Sequence, residues 1–199
     1  MAHNPFEHET YKEILEGYLH KETIPYLEAA WREPWRHYHN IDHLNDLLET
    51  IEGYMNEGKI HLLDYHSLVL AAFFHDCYYN PRDNKVDEDE SIRRFIASFT
   101  DQRPVMRNAI IEMIETTKHR KRPEPKLLRL FWEADNKGFY NGYDWLIESE
   151  RCIRKEYVHV PKKLYKEKRI EFIKTNFGLF DSKVDKDLER LIEYINENY

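Results

Sequence analysis

The sequence predicts an all-α protein, a single domain built as a bundle of about eight helices. Apolar residues recur mostly three and four positions apart, which is the spacing of one face of an α-helix. Glycine and proline, which interrupt helices, are scarce, with 6 and 8 among the 199 residues. No long stretch alternates apolar and polar residues, as a half-buried strand would. These observations together favour helices throughout.

The helices follow one another with recognisable breaks. Segments 11–31 and 41–55 each carry an apolar stripe, which predicts amphipathic helices. Residues 64–79 are apolar nearly all round, so we expect them to form the central, buried helix. Asn80–Pro81 then breaks the chain, and an acidic cluster suits the first turn of the next helix, at 90–99. Further helices are predicted at about 104–118, 124–137, 142–158, 162–175 and 184–197.

Composition indicates a soluble, cytoplasmic protein. Hydrophobic residues make up 41% and charged residues 34% of the chain. Thirty Lys and Arg against 37 Asp and Glu give a net charge of −7, which disfavours duplex nucleic acid as a partner but not a small phosphate ester. Two cysteines without a CxxC pair argue against a disulfide scaffold and a thiolate zinc site. We expect neither a secretion signal nor a membrane span.

An adjacent imidazole and carboxylate end the most apolar segment, "VLAAFFHDCYY", at His75–Asp76. Burying an unpaired carboxylate costs several kcal/mol, so a partner or a metal ion is expected there. Successive helical residues point about 100° apart, so other ligands must come from neighbouring helices. His43 and Asp135 are the natural third and fourth ligands. Such a nitrogen and oxygen set suits Mn, Fe, Co, Zn or Mg, although a His–Asp pair also occurs by chance in many chains.

Two longer motifs surround these residues, "EPWRHYHNIDH" at 33–43 and "HDCYYNP" at 75–81. They resemble the "EPxRxYHNxxH" and "HDxxYxP" motifs of the HD-domain superfamily, in its branch of predicted metal-dependent HD superfamily phosphohydrolases. The similarity continues in "IETTKH" at 114–119, "EADNKGFY" at 133–140 and "IRKEYVHVPKKLYKEKRIEFI" at 153–173. The resemblance implies one HD-type helical domain over residues 1–199. Its metal-binding region would span about 36–137, with helices at 142–199 packed on it.

The resemblance also implies a function, the hydrolysis of a small phosphate ester, such as a nucleotide, by water activated on one divalent metal ion. The implied metal ligands are His43, His75, Asp76 and Asp135. Asp76 would also act catalytically, holding or accepting the proton of the water. The family's Asn-Glu pair is replaced here by Asp87–Glu88 within "VDEDESI", with the register shifted by a residue. Glu88 is the catalytic carboxylate that we expect, and Glu90 is its alternative.

Cationic donors must meet the charge of the phosphoryl oxygens, and the candidates for substrate binding are Arg36, His39, Lys118 and His119. His39 lies four residues before His43, so it either faces the same pocket or makes a structural hydrogen bond. Lys118 and His119 open the basic run "KHRKR", which is either functional or a solvated face. A last group also matches the family pattern and predicts a helix-packing network in which Arg169 can reach the pocket: Arg154, Glu156, Tyr157 and Arg169.

Two other functions remain open at this point. The first is a di-iron oxygenase on the same scaffold, but dinuclear HD proteins resemble H…HD…H…H…D, and only His119 lies between Asp76 and Asp135. The second is a non-enzymatic ligand-binding or regulatory module. Retention of the whole presumed ligand set argues against it, because two buried carboxylates without a metal would repel each other.

Overall fold

A computed structural model describes residues 4–83, 86–118 and 121–199. Those residues form ten α-helices and a short 3₁₀ segment at Lys137–Asn141, with no β-strand in the described ranges. The all-α class is therefore confirmed, with ten helices in the described residues where about eight were expected. The helices are α1 (Glu9–Tyr18), α2 (Thr23–Trp31), α3 (Ile41–Asn56), α4 (Leu62–Phe74), α5 (Asp87–Ser98), α6 (Pro104–Thr116), α7 (Lys126–Asp135), α8 (Tyr143–Glu156), α9 (Lys162–Lys174) and α10 (Ser182–Asn198).

The stripe at 11–31 belongs to two helices, because the chain becomes extended at Leu19 between α1 and α2. Leu19 forms an isolated antiparallel bridge with Phe99, at the end of α5. The His20 amide donates to the Ser98 carbonyl (3.0 Å), and the Thr100 amide donates to the Tyr18 carbonyl (2.9 Å). These long-range bonds replace the helical bonds that a continuous helix would have made, and sequence periodicity does not report them.

Helix α4 is the centre of the main hydrophobic core, as its composition predicts. Every residue from Leu68 to Phe74 is completely buried. The helix contacts α1, α3, α5 and α6. It ends at Phe74 rather than continuing to residue 79, and Cys77 closes the turn by donating its amide hydrogen to the Phe74 carbonyl (3.1 Å). His75 and Asp76 therefore lie where the chain leaves the core.

A second, smaller hydrophobic cluster joins the last three helices. Its buried members are Leu146, Ile173, Val184, Leu188, Leu191 and Ile195. Phe180, between α9 and α10, stacks on Trp132 of α7 with ring centroids 5.3 Å apart, so this cluster packs against the end of α7. None of the described helices combines the length and the apolar character needed to cross a bilayer.

Candidate metal centre

Three helix ends bring the central side chains together. His43 lies in the first turn of α3, where the Asn40 side chain caps the helix by accepting the amide hydrogens of Asp42 (2.9 Å) and His43 (3.4 Å). His75 follows the last residue of α4, and Asp135 is the last residue of α7. The site is thus formed from distant parts of the chain, as the sequence predicts for His43, His75 and Asp135.

The donor atoms of these three residues converge on one point. The two imidazole Nε2 atoms of His43 and His75 lie 3.3 Å apart. Oδ1 of Asp135 lies 3.3 Å from Nε2 of His43 and 3.5 Å from Nε2 of His75. Two ligands bound to one ion at about 2.0–2.2 Å lie about 3 Å or slightly more apart, so this spacing fits a shared cation. The group could hold a metal ion, since its donor atoms all lie within 4.8 Å of one another.

The hydrogen bonding of His75 directs the correct nitrogen to the site. Because a carbonyl can only accept, Nδ1 donates to the Ala72 carbonyl (2.8 Å), and Nε2 faces the donor atoms of His43 and Asp135. The ring is held between Trp31 and Phe131, whose centroids lie 5.5 and 5.9 Å away, and only 1% of the side chain is exposed. Trp31 is itself anchored, because its indole donates to the Phe73 carbonyl (2.9 Å).

The charges at the centre favour an ionised carboxylate. Burial alone raises the pKa of Asp135, but the hydrogen bond from His43 and the nearby charges of His75 and His43 lower it to about 2. Burial alone lowers the pKa of His43, but the hydrogen bond and the charge of Asp135 reverse this and raise it. Asp135 is therefore a carboxylate that needs a positive partner, which is either a protonated imidazole or a cation.

The Asp76 carboxylate lies near the same nitrogen of His75. Its Oδ2 lies 3.4 Å from Nε2 of His75, and 19% of its side chain is exposed. Asp76 does not belong to the compact group formed by the other three donors among the described residues. It thus lies beside the centre, open to solvent, at a position suited to a fourth ligand or to a bound water.

Arg36 holds the backbone of this segment rather than opening into a pocket. Its Nη1 donates to the carbonyls of Asp76 (2.8 Å) and His39 (3.1 Å), and its Nε donates to Glu33 (2.9 Å). The guanidinium lies between the rings of Trp31 and Tyr79, and the side chain is completely buried. These contacts favour a positioning role for Arg36 over the substrate contact expected from the sequence.

His39 is bound to Glu156, at the end of α8. Because an ionised carboxylate can only accept, Nδ1 of His39 donates to Oε2 of Glu156 (2.8 Å), and Nε2 of His39 has no hydrogen bond to the described residues. Oε1 of Glu156 also accepts the amide hydrogens of residues 37–39, and Oε2 accepts the hydroxyl of Tyr79 (2.7 Å). Burial alone raises the pKa of Glu156, but these bonds and His39 lower it to about 2. The carboxylate therefore stays charged and fixes the loop before α3.

The acidic residues in the first turn of α5 differ in their partners. Asp87 is buried and accepts the Asn80 amide hydrogen, at 3.3 Å from Oδ1 and 3.2 Å from Oδ2, whereas Glu90 pairs with two arginines of its own helix. Asp89 pairs with Lys118, which commits that ammonium to a surface ion pair. Glu88 is half-buried and has no hydrogen bond or ion pair to the other described residues. His119, the remaining candidate, lies outside the described residues.

The helix-packing network forms with other members than expected. Arg154 donates to the carbonyls of Tyr157 and Val160, and Glu156 bonds to the loop before α3 instead. Arg169 donates from Nε to Oε2 of Glu150 (2.6 Å), whose Oε1 accepts the Tyr165 hydroxyl (2.6 Å). An Arg–Glu–Tyr network thus exists, but its glutamate is Glu150. No motif or spacing distinguishes Glu150 from the other acidic residues of α8.

The centre also contains a residue to which the sequence assigned no role. The ring of Tyr38 stacks on that of His43, with centroids 5.5 Å apart and 27° between the planes. Burial and the charge of Asp135 raise the pKa of its hydroxyl, and Arg169 is near enough to oppose them. The position of Tyr38 within the "RHYHN" motif was the available signal.

A scan against protein-family models, a search of curated proteins and a search of solved structures each found no significant match to this chain.

Proposed function

We propose that this protein is a metal-dependent phosphohydrolase that acts on a small phosphate ester, such as a nucleotide, with one divalent ion bound by His43, His75 and Asp135. The convergence of two imidazole nitrogens and one carboxylate oxygen within 4.8 Å carries the proposal. Nitrogen and oxygen ligands of this kind bind Mn, Fe, Co, Zn or Mg. When bound, such an ion lowers the pKa of a coordinated water and neutralises charge on a phosphate oxygen.

The chain supplies the remaining chemistry through Asp76 and Glu88. The Asp76 carboxylate lies 3.4 Å from Nε2 of His75 and is partly open to solvent, so it is suited to hold the attacking water and take its proton. Glu88 is half-buried without an ion pair to the described residues, which leaves its carboxylate available to orient that water. Glu90 is less suited, because Arg93 and Arg94 already neutralise it.

His39 is a second potential donor at the edge of the centre. Its ring centroid lies 6.1 Å from that of His43, and Nδ1 is tied to Glu156, so Nε2 has a defined direction. Orientation by a buried carboxylate is the usual way in which proteins fix the tautomer of a working histidine. We therefore keep His39 as a residue that binds the substrate or its leaving group.

The direct test is a hydrolysis screen of the metal-loaded protein. A panel of phosphomonoesters, nucleotides and cyclic dinucleotides is incubated with Mn, Co, Mg, Fe or Zn, and released phosphate or product is measured. We expect turnover of at least one ester class that is abolished by chelator. Asp76→Asn should lower kcat by about 100-fold or more while leaving the metal content unchanged, because it removes the proton acceptor but not the compact ligand group.

The matched control is Glu49→Gln, which also replaces a carboxylate by an amide, at an exposed residue of α3 outside the ligand group. It should retain the wild-type rate. Chelator-insensitive turnover, or equal turnover by Asp76→Asn and wild type, would contradict the proposal. Stabilisation of the protein by a ligand without any turnover would instead support a regulatory module, and two tightly held ions per chain would support a dinuclear centre.

A further inference from the structure

Tyr38 presents a phenol directly beside the candidate metal ligands. Its ring stacks on His43 at 5.5 Å and meets the rings of His39 and Trp145 edge-on, at 4.9 and 6.1 Å. Its amide is held by Glu156 (2.7 Å). Ring and backbone are therefore fixed, yet the hydroxyl has no hydrogen-bond partner among the described residues. A phenol is protonated at neutral pH, so this hydroxyl is a donor without an acceptor.

Arg169 lies close enough to Tyr38 for its charge to act on the phenol, and its guanidinium is already held by neighbouring side chains. Its Nε donates to Oε2 of Glu150 (2.6 Å), and that carboxylate is completely buried and held by Tyr165. The guanidinium carbon lies 4.7 Å from the ring centre of Phe172, which restricts it further. The two terminal nitrogens have no hydrogen-bond partner in the described part of the chain. A guanidinium whose Nε is held in place and whose two Nη atoms have no partner is suited to bidentate binding of an oxyanion.

The other cations near the centre are enclosed or paired. Arg36 is completely buried: its Nε and Nη1 bond to Glu33 and two backbone carbonyls, and its Nη2, which has no partner in the described part of the chain, is enclosed with them. Lys118 is paired with Asp89. A phosphate monoester brings about two negative charges, and the compact ligand group contains one carboxylate with a second, Asp76, beside it. The substrate therefore needs a further positive group, and among the described residues Arg169 has unpartnered nitrogens on a side chain that is partly exposed, whereas Arg36 is completely buried.

We infer that Tyr38 and Arg169 together bind the non-bridging oxygens of the phosphoryl group, with the phenol and the guanidinium each donating to an oxygen that is not on the metal ion. This inference rests on the proposed phosphohydrolase function and assigns its phosphoryl-binding residues. Donors aimed at oxygens that gain charge in the transition state contribute to kcat as well as to binding. Tyr38 serves this role through its hydroxyl, and its ring additionally supports His43.

The test compares Tyr38→Phe, Arg169→Lys and Arg169→Gln with wild type, in steady-state kinetics and in binding of inorganic orthophosphate to the Co-loaded protein. Tyr38→Phe keeps the ring and removes the donor, so kcat/KM should fall by about tenfold. Arg169→Gln should lower kcat/KM by about 100-fold and weaken orthophosphate binding, with Arg169→Lys intermediate. Cobalt content should stay at the wild-type value in all three. Tyr140→Phe and Arg190→Gln, both at exposed side chains, are the matched controls.

Wild-type kinetics and orthophosphate affinity in both Tyr38→Phe and Arg169→Gln would overturn the assignment while leaving the hydrolase proposal intact. Absence of turnover in wild type would overturn the hydrolase proposal. The orthophosphate affinities of the variants and of wild type would then test the assignment of Tyr38 and Arg169 by themselves. If Arg169→Gln fails to fold because Glu150 loses its partner, Arg169→Lys and Tyr38→Phe carry the test. Equal orthophosphate affinity in these two variants and in wild type would contradict the assignment.

Discussion

Glu156 and His39 are joined by a hydrogen bond of 2.8 Å although 117 residues separate them. The bond ties the end of α8 to the loop before α3, and the same carboxylate accepts three successive amide hydrogens of that loop. His43 lies four residues beyond His39, so the C-terminal helices help to place a metal ligand. The second hydrophobic cluster therefore belongs to the architecture of the centre.

Replacing Glu156 by Gln should destabilise the protein. The amide removes the charge that the loop amides and His39 stabilise, and its NH₂ group would face other donors. We expect the free energy of unfolding to fall by about 2–4 kcal/mol, measured by urea denaturation. Glu148→Gln, at an exposed position of the same helix, should change it by less than about 0.5 kcal/mol. Equal effects of the two variants would refute the role of Glu156.

The same carboxylate should make stability depend on acidic pH. The pKa of Glu156 is lowered from 4.5 to about 2 in the folded protein. Between these values the unfolded chain binds a proton that the native protein does not, so the free energy of unfolding falls as pH falls from about 5 to about 2. The contribution is on the order of 3 kcal/mol. Urea titrations across this range should show a weaker pH dependence in Glu156→Gln.

Asp87 should make stability depend on pH in the opposite direction, in a range that extends to neutral pH. Burial raises its pKa from 3.8 to about 7 against the opposing hydrogen bond from Asn80. Between these values the native protein binds a proton that the unfolded chain has lost, so this group makes the free energy of unfolding fall as pH rises from about 4 to about 7. Asp87→Asn should remove that decrease. Thermal denaturation of both proteins at pH 5 and pH 8 checks this: the variant's advantage in Tm should be larger at pH 8, and an equal difference at both pH values would contradict it.

Arg36→Lys tests whether the buried guanidinium positions the His75–Asp76 segment. Lysine cannot reproduce the guanidinium that bonds to two carbonyls and Glu33. The free energy of unfolding should therefore fall by about 2–3 kcal/mol. Cobalt affinity should fall as well, because the Asp76 backbone loses its support. Arg32→Lys, at a half-exposed salt bridge four residues earlier, is the matched control and should change neither quantity. If both variants bind cobalt as wild type does, Arg36 does not position the segment.

Much of the fold could be predicted from the sequence, because periodicity reports which face of a helix is buried. The central helix and most later helices follow directly from that pattern. The split between α1 and α2 could not be predicted, since it depends on the pairing of Leu19 with Phe99, 80 residues away. The end of α4 at Phe74 depends on the turn that the segment makes beside Arg36.

The ligands of the candidate centre could be predicted, because the motifs contain residue types that bind metal ions. His43, His75 and Asp135 meet as expected, because each lies at a helix end and the three ends converge. The carboxylates that hold His39 and Arg169 were not predictable, since Glu156 and Glu150 look alike in an acidic helix. Their different roles arise from burial against the loop before α3 and against α9, which are tertiary contacts.

Metal binding by the three convergent residues is the central claim, and isothermal titration with Co²⁺, combined with elemental analysis, tests it most directly. The account predicts one tightly bound ion per chain in wild type. His75→Gln and Asp135→Asn should each weaken the affinity by about 100-fold or more, while Glu49→Gln, at an exposed residue of α3, leaves it unchanged. Wild-type stoichiometry and affinity in both ligand variants, or no binding by wild type, would contradict the account.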